Sequence, residues 1–162
     1  KYLKIRTTLP FVYLCNKADQ LVEVFGYEEP TLEQIFEVLE KISPKIAEYG
    51  TFNFCLSNGQ ALFSYAITKL HWLVREYPFN NAHLIDLDVE VDFSQVTTPE
   101  DRVAVITTEP LTHNETWIAY QPGEMILFQH GKPIKKAITQ VERLIREEKN
   151  PELKRITRAD QY

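Results

Sequence analysis

Glycine is scarce in this chain, with 5 residues among 162, which is too few for a Gly-rich nucleotide loop of any common type. No GxGxxG, GxxxxGKS, GxSxG or HExxH pattern appears, so the common phosphate-cradling and hydrolase signatures are missing. Positive charge is also short: the formal net charge is -5. That excludes the clustered basic footprint of a nucleic-acid binder. No apolar run approaches the roughly 18 to 20 residues a membrane helix needs. The opening Lys1-Tyr2-Leu3-Lys4-Ile5-Arg6 carries too short an apolar part for a signal peptide. An initiator methionine is lacking too, and a fragment, a processed form or a partial chain is expected.

The cysteines are Cys15 and Cys55, without a CxxC or a neighbouring histidine. Each is expected to be a buried free thiol of a cytoplasmic protein, not a disulfide, a metal ligand or a nucleophile. The histidines, His71, His83, His113 and His130, never fall at the i, i+2 or i, i+4 spacings of common zinc sites.

What is present suits one domain with a core: 44% hydrophobic and 12% aromatic residues. Phe11, Leu14, Cys15, Ala18, Leu21, Val22 and Phe25 fall at steps of three and four and predict a helix closed by Gly26. A second helix follows Pro30, with Thr31 and Gln34 as a capping box and Ile35, Leu39, Ile42 and Ile46 as its buried stripe. Pro44 is expected to kink it or split it at Ser43. The period then changes to two at Phe52, Phe54 and Leu56. Asn58-Gly59 predicts a two-residue type I′ hairpin into a strand over 61–67.

Further strands are expected over 70–74, 83–93, 102–107 and 123–129, with a tight turn at His130-Gly131-Lys132 and a short strand near Pro133. In the 83–93 segment, Asp86, Asp88, Glu90 and Asp92 share one face. A straight row of carboxylates cannot wrap a hard cation unaided, so a solvated edge is the better explanation and no metal is expected. The 102–107 strand is apolar on both faces, which predicts a central place. Ile138, Val141, Leu144 and Ile145 predict a helix over 135–148. Segregated helices and strands of this kind mean α+β.

The stretch 97–117 delivers a polar loop from an apolar strand, which is how scaffolds present recognition groups. Its candidate pocket residues are Thr108, Glu109, Thr112, Asn114, Glu115 and Trp117. The plainer reading is that these side chains satisfy the loop's own amides. No constellation along the chain would run a reaction, so no catalytic residue and no cofactor are assigned.

Three segments, Phe52-Asn53-Phe54-Cys55-Leu56-Ser57-Asn58-Gly59, Thr68-Lys69-Leu70-His71-Trp72 and Thr97 to Trp117, together with Pro122-Gly123-Glu124, resemble the back half of a class II glutamine amidotransferase of the stand-alone, YafJ-like type. The resemblance implies part of a four-layer αββα N-terminal-nucleophile hydrolase sandwich with antiparallel sheets. Residues 1–134 would be the C-terminal part of that domain, and 135–162 a helical extension. It implies hydrolysis of the glutamine side-chain amide to glutamate and ammonia, by a cysteine exposed as the mature N-terminal residue. Here the first residue is Lys1, so none of the family's catalytic residues carries over. The partners implied are glutamine or a related small amide, plus a missing N-terminal half or a second copy of the chain. The isolated chain is expected to be inactive. The alternative is a non-catalytic binding module on the same fold.

Overall fold

The computed structural model describes residues 30–79, 82–85, 90–91 and 97–149. The helix expected over 11–25, with Cys15, lies outside the described residues. Helix α1 spans Leu32–Ala47 and begins on the expected capping box. The Thr31 hydroxyl accepts from the Gln34 amide at 3.2 Å, and the Gln34 carboxamide accepts from the Thr31 amide at 2.8 Å. Two orphan donors of the first turn are thereby satisfied. Pro44 does not split this helix, which continues to Ala47. Pro44 sits in the last turns, and the buried residues on either side of it, Ile42, Ser43, Ile46 and Ala47, hold the backbone against the sheet beneath.

The strands are β1 (Phe54–Ser57), β2 (Leu62–Ala66), β3 (His71–Glu76), β4 (Ala82–His83), β5 (Glu90–Val91), β6 (Arg102–Thr107), β7 (Ile118–Ala119), β8 (Glu124–Gln129) and β9 (Lys132–Ile138). Helix α2 follows at Glu142–Lys149. The order β1-β2-β8-β9 makes one antiparallel sheet and β6-β3-β7 a second, with β4-β5 as a separate pair. Period-two alternation sorts the first sheet's side chains by face. Phe63, Tyr65, Met125 and Leu127 pack on Phe36, Leu39, Ile42 and Ile46 of α1. Ala66, Ile126 and Phe128 point the other way, onto Leu70 and Trp72. The described layers are therefore helix, sheet and sheet, with an apolar core on each side of the first sheet.

Several expectations are corrected. The hairpin between β1 and β2 is present, but Ser57 pairs with Leu62, leaving four residues in the turn instead of two. Gly59 alone of the Asn-Gly pair takes positive φ, +87°. The Asn58 carboxamide oxygen instead accepts from the amides of Gln60 and Ala61, both at 3.0 Å. This local alternative wins because it satisfies two donors at once. A two-residue turn with both φ positive occurs at His130 (49°) and Gly131 (71°), joining β8 to β9.

Residues 83–93 do not form one strand, since Ala82 pairs with Val91 and His83 with Glu90 in antiparallel register. Asp86, Asp88 and Asp92, proposed as one acidic face with Glu90, lie outside the described residues. The apolar strand β6 is an edge of the described second sheet, and β3 is its centre. Its residues are mostly half-buried, and Val103 is 45% exposed. The C-terminal helix starts at Glu142, not Lys135, because residues 132–138 alternate as strand β9. Ala137 of that strand packs on the core beneath α1. Cys55, expected in the core, is exposed on β1, which is an edge of the first sheet among the described residues.

Candidate functional site

The loop between β6 and β7 is built from residues that the sequence spaces widely and the fold gathers. Leaving β6, the Thr107 hydroxyl donates to the Glu109 carbonyl at 2.7 Å, and His71 Nδ1 lies 3.1 Å from the Thr108 carbonyl. Leu84 bridges Thr112, and the amides of Ile85 and His113 donate to the carbonyls of Leu111 and His83. The His83 amide donates to the Asn114 side-chain oxygen at 2.9 Å. The loop is thus stitched along β4 by backbone bonds.

Its polar centre is Glu115. Arg75 Nε donates to Glu115 Oε1 and Nη2 to Oε2, both at 2.7 Å. The Thr112 hydroxyl donates to Oε2 at 2.6 Å and accepts from Trp117 Nε1 at 3.0 Å. Thr112 is buried, and the Arg75 and Glu115 side chains are mostly so. The Arg75 hydrogen bonds hold the Glu115 carboxyl below its ordinary range, against burial, which pushes it up, and with help from Thr112. A two-point guanidinium–carboxylate pair fixes direction as well as charge.

A cleft of about 280 Å³ opens beside this network, lined by Leu73, Arg75, Pro78, Phe79, Asn114 and Glu115 among others. Of the six loop residues singled out in the sequence, Thr112, Asn114, Glu115 and Trp117 come together at or behind this cleft. Thr108 and Glu109 do not. Glu109 is exposed and pairs with exposed Lys69 at 2.8 Å, and this hydrogen bond lowers its pKa. Arg75 was missed by sequence reasoning. A cation on a strand 40 residues before Glu115 offers no spacing signal, and only the pairing of β3 with β6 and β7 brings it near.

Elsewhere the two sheets enclose a second polar contact. The Ser64 hydroxyl lies 2.6 Å from the Tyr120 hydroxyl, and burial raises the Tyr120 pKa. Cys55 stands opposite Ser64 across β1 and β2. Its thiol pKa is raised by burial, the reverse of an activated nucleophile. Among the described residues no three His, Cys, Asp or Glu side chains converge as a metal site, and no helix is long and apolar enough to cross a membrane.

The model of the family described as glutamine amidotransferases class-II matches residues 7–152. A Haemophilus influenzae protein named "Putative glutamine amidotransferase" is 40% identical over 124 residues, covering 76% of this chain and 42% of its own length. The Escherichia coli protein named "Putative glutamine amidotransferase YafJ" is 45% identical over 124 residues, covering 76% of this chain and 48% of its own. A crystal structure titled as a predicted glutamine amidotransferase from Pseudomonas aeruginosa superposes with a TM-score of 0.67 at 34% identity. It covers 83% of this chain and 53% of that one. The chain spans about half the length of these relatives.

Proposed function

The chain belongs to the class-II glutamine amidotransferase family, and from that premise we propose that it forms part of an enzyme hydrolysing the glutamine side-chain amide to glutamate and ammonia. In this reading the chain supplies the second sheet of a four-layer N-terminal-nucleophile sandwich and a wall of the substrate pocket. The reacting cysteine comes from other sequence. The wall is the loop carrying Thr112, Asn114, Glu115 and Trp117, and the small molecule is glutamine or a related amide.

The observation that carries this reading is the Arg75–Glu115 pair at one cleft, with Asn114 also on its lining and Thr112 and Trp117 joined to Glu115 by a chain of hydrogen bonds. A loop held by a mostly buried charge pair and by backbone bonds to the β4 segment is pre-organised, as a pocket wall has to be. The chemistry of Cys55 supports placing the nucleophile elsewhere. Its raised pKa disfavours the thiolate, and no hydrogen-bonding base accompanies it among the described residues.

The test is ammonia release from glutamine, by the 162-residue chain and by the intact source protein. The chain alone should release none, and the intact protein should release it. Activity in the chain that disappears in Cys55→Ser overturns the assignment of the nucleophile. An intact protein that binds glutamine without releasing ammonia is a binding module, and the catalytic reading then fails.

A further inference from the structure

Chemistry fixes the direction of every hydrogen bond in the run Arg75–Glu115–Thr112–Trp117. A guanidinium and an indole N–H only donate, and an ionised carboxylate only accepts. The Thr112 hydroxyl alone among these groups can do both. It gives its hydrogen to Glu115 Oε2 at 2.6 Å and takes that of Trp117 Nε1 at 3.0 Å. Thr112 is 3% exposed, so water does not readily replace either bond. Its backbone is anchored by the bridge to Leu84. One buried oxygen thus ties the loop's position 112 to positions 115 and 117. The residues between them, Asn114, Glu115 and Thr116, line the cleft together with Arg75, whereas Thr112 does not.

We propose that Thr112 is a positioning residue of the cleft, whose hydroxyl acts through Glu115 and Trp117 to hold residues 114–116 in the shape that receives the small amide. The inference rests on the function proposed above. The two bonds from Arg75 fix the Glu115 carboxylate against β3, but they leave the course of the loop backbone to other contacts. The Thr112 bonds supply two of these by closing the segment on itself, and the His83 amide holds Asn114 Oδ1 between them at 2.9 Å. Without the hydroxyl, Trp117 loses its acceptor and Glu115 one of its three donors. The wall then has to be ordered when the ligand arrives, which weakens binding. The reacting group lies elsewhere in this reading, so the loss falls on KM and leaves kcat nearly unchanged.

Steady-state ammonia release from glutamine by the intact source protein tests this. Thr112→Val, which keeps the side-chain shape and removes the hydroxyl, should raise KM at least about fivefold, the effect of losing one ordinary hydrogen bond. Thr112→Ser, which restores the hydroxyl, should bring KM back. Trp117→Phe cuts the run at its other end and should move KM in the same direction, which keeps the test open if the valine variant fails to fold. Gly59→Ala is the control for general destabilisation, because its turn lies in the first sheet, and its KM should equal that of the wild type. An active wild type whose KM is unmoved by Thr112→Val and Trp117→Phe overturns the proposal and spares the function. So does a KM that Thr112→Ser fails to restore, or one that Gly59→Ala raises equally. A wild type that neither binds nor hydrolyses glutamine removes the function itself, and the proposal with it.

Discussion

Arg75 and Glu115 meet as a two-point pair, with both hydrogen bonds at 2.7 Å and with both side chains less than one-fifth exposed. The pair joins the middle strand of the second sheet to the loop that follows the edge strand. Glu115 also takes the Thr112 hydroxyl, and Thr112 takes the Trp117 indole. One carboxylate therefore organises three other side chains. Lys69 and Glu109 form an ion pair at a similar distance, 2.8 Å, but in open solvent. Exposed pairs contribute little, because water and side-chain entropy offset the attraction.

Glu115→Gln should therefore destabilise the chain where Lys69→Ala does not. Losing the charge leaves Arg75 with a weaker acceptor and turns one oxygen into a donor facing Arg75 or Thr112. Hydrogen bonds to charged groups contribute about 1.5–3 kcal/mol. Allowing for the remaining solvent contact, a loss of about 2 kcal/mol is expected in urea unfolding at pH 7. Lys69→Ala should leave the urea midpoint unchanged. Arg75→Lys should resemble Glu115→Gln, because an ammonium cannot reproduce the fork.

The same pair predicts a pH dependence. The folded carboxyl of Glu115 is held below its unfolded value by Arg75 and Thr112. Its contribution is complete above the unfolded carboxylate pKa of about 4.3. It is lost as pH falls through the lower folded value. The stability difference between wild type and Glu115→Gln should thus be full at pH 7 and shrink towards pH 3. A difference independent of pH would remove the charge from the account.

Much of this architecture is legible in the residues themselves. The capping box at Thr31 and Gln34, the stripe of α1 and the run Met125-Ile126-Leu127-Phe128 all declare their elements, because local propensity and burial agree there. Where they disagree, pattern misleads. The apolar residues of β6 suggest a central strand, yet among the described residues it is an edge whose side chains are only half covered. Ile138 suits a helical stripe on paper and instead ends β9, 59% exposed. The candidate loop was visible as a polar break after a strand, but its partner Arg75 and the approach of His83 to His113 were not. Both are tertiary contacts, set by strand register and invisible to any local spacing.

Two glycines of positive φ should answer differently to alanine. Gly59 (φ +87°) has nothing within 4 Å of an added Cβ, so Gly59→Ala meets only the backbone penalty, about 1 kcal/mol. Gly131 (φ +71°) would place that Cβ 2.6 Å from the Arg102 carbonyl oxygen. Backbone cannot swing aside as a flexible side chain does, so β6 and the β8–β9 turn must separate. Gly131→Ala should be the more damaging by at least about 1 kcal/mol in urea unfolding. Equal costs would mean that β6 is not held against the turn.

Cys55 supplies the last contrast, between accessibility and reactivity. It is exposed on β1, an edge among the described residues, yet burial of its thiol by surrounding groups raises the pKa. Alkylation proceeds through the thiolate, so its rate at fixed pH follows the ionised fraction. At pH 7.5, iodoacetamide should modify Cys55 more slowly than it modifies free cysteine, with peptide mapping to separate it from Cys15. Raising the pH should speed the reaction beyond the point where free cysteine has levelled off. Modification faster than free cysteine at pH 7.5 would mean an activated thiol. The nucleophile would then have to be sought within this chain.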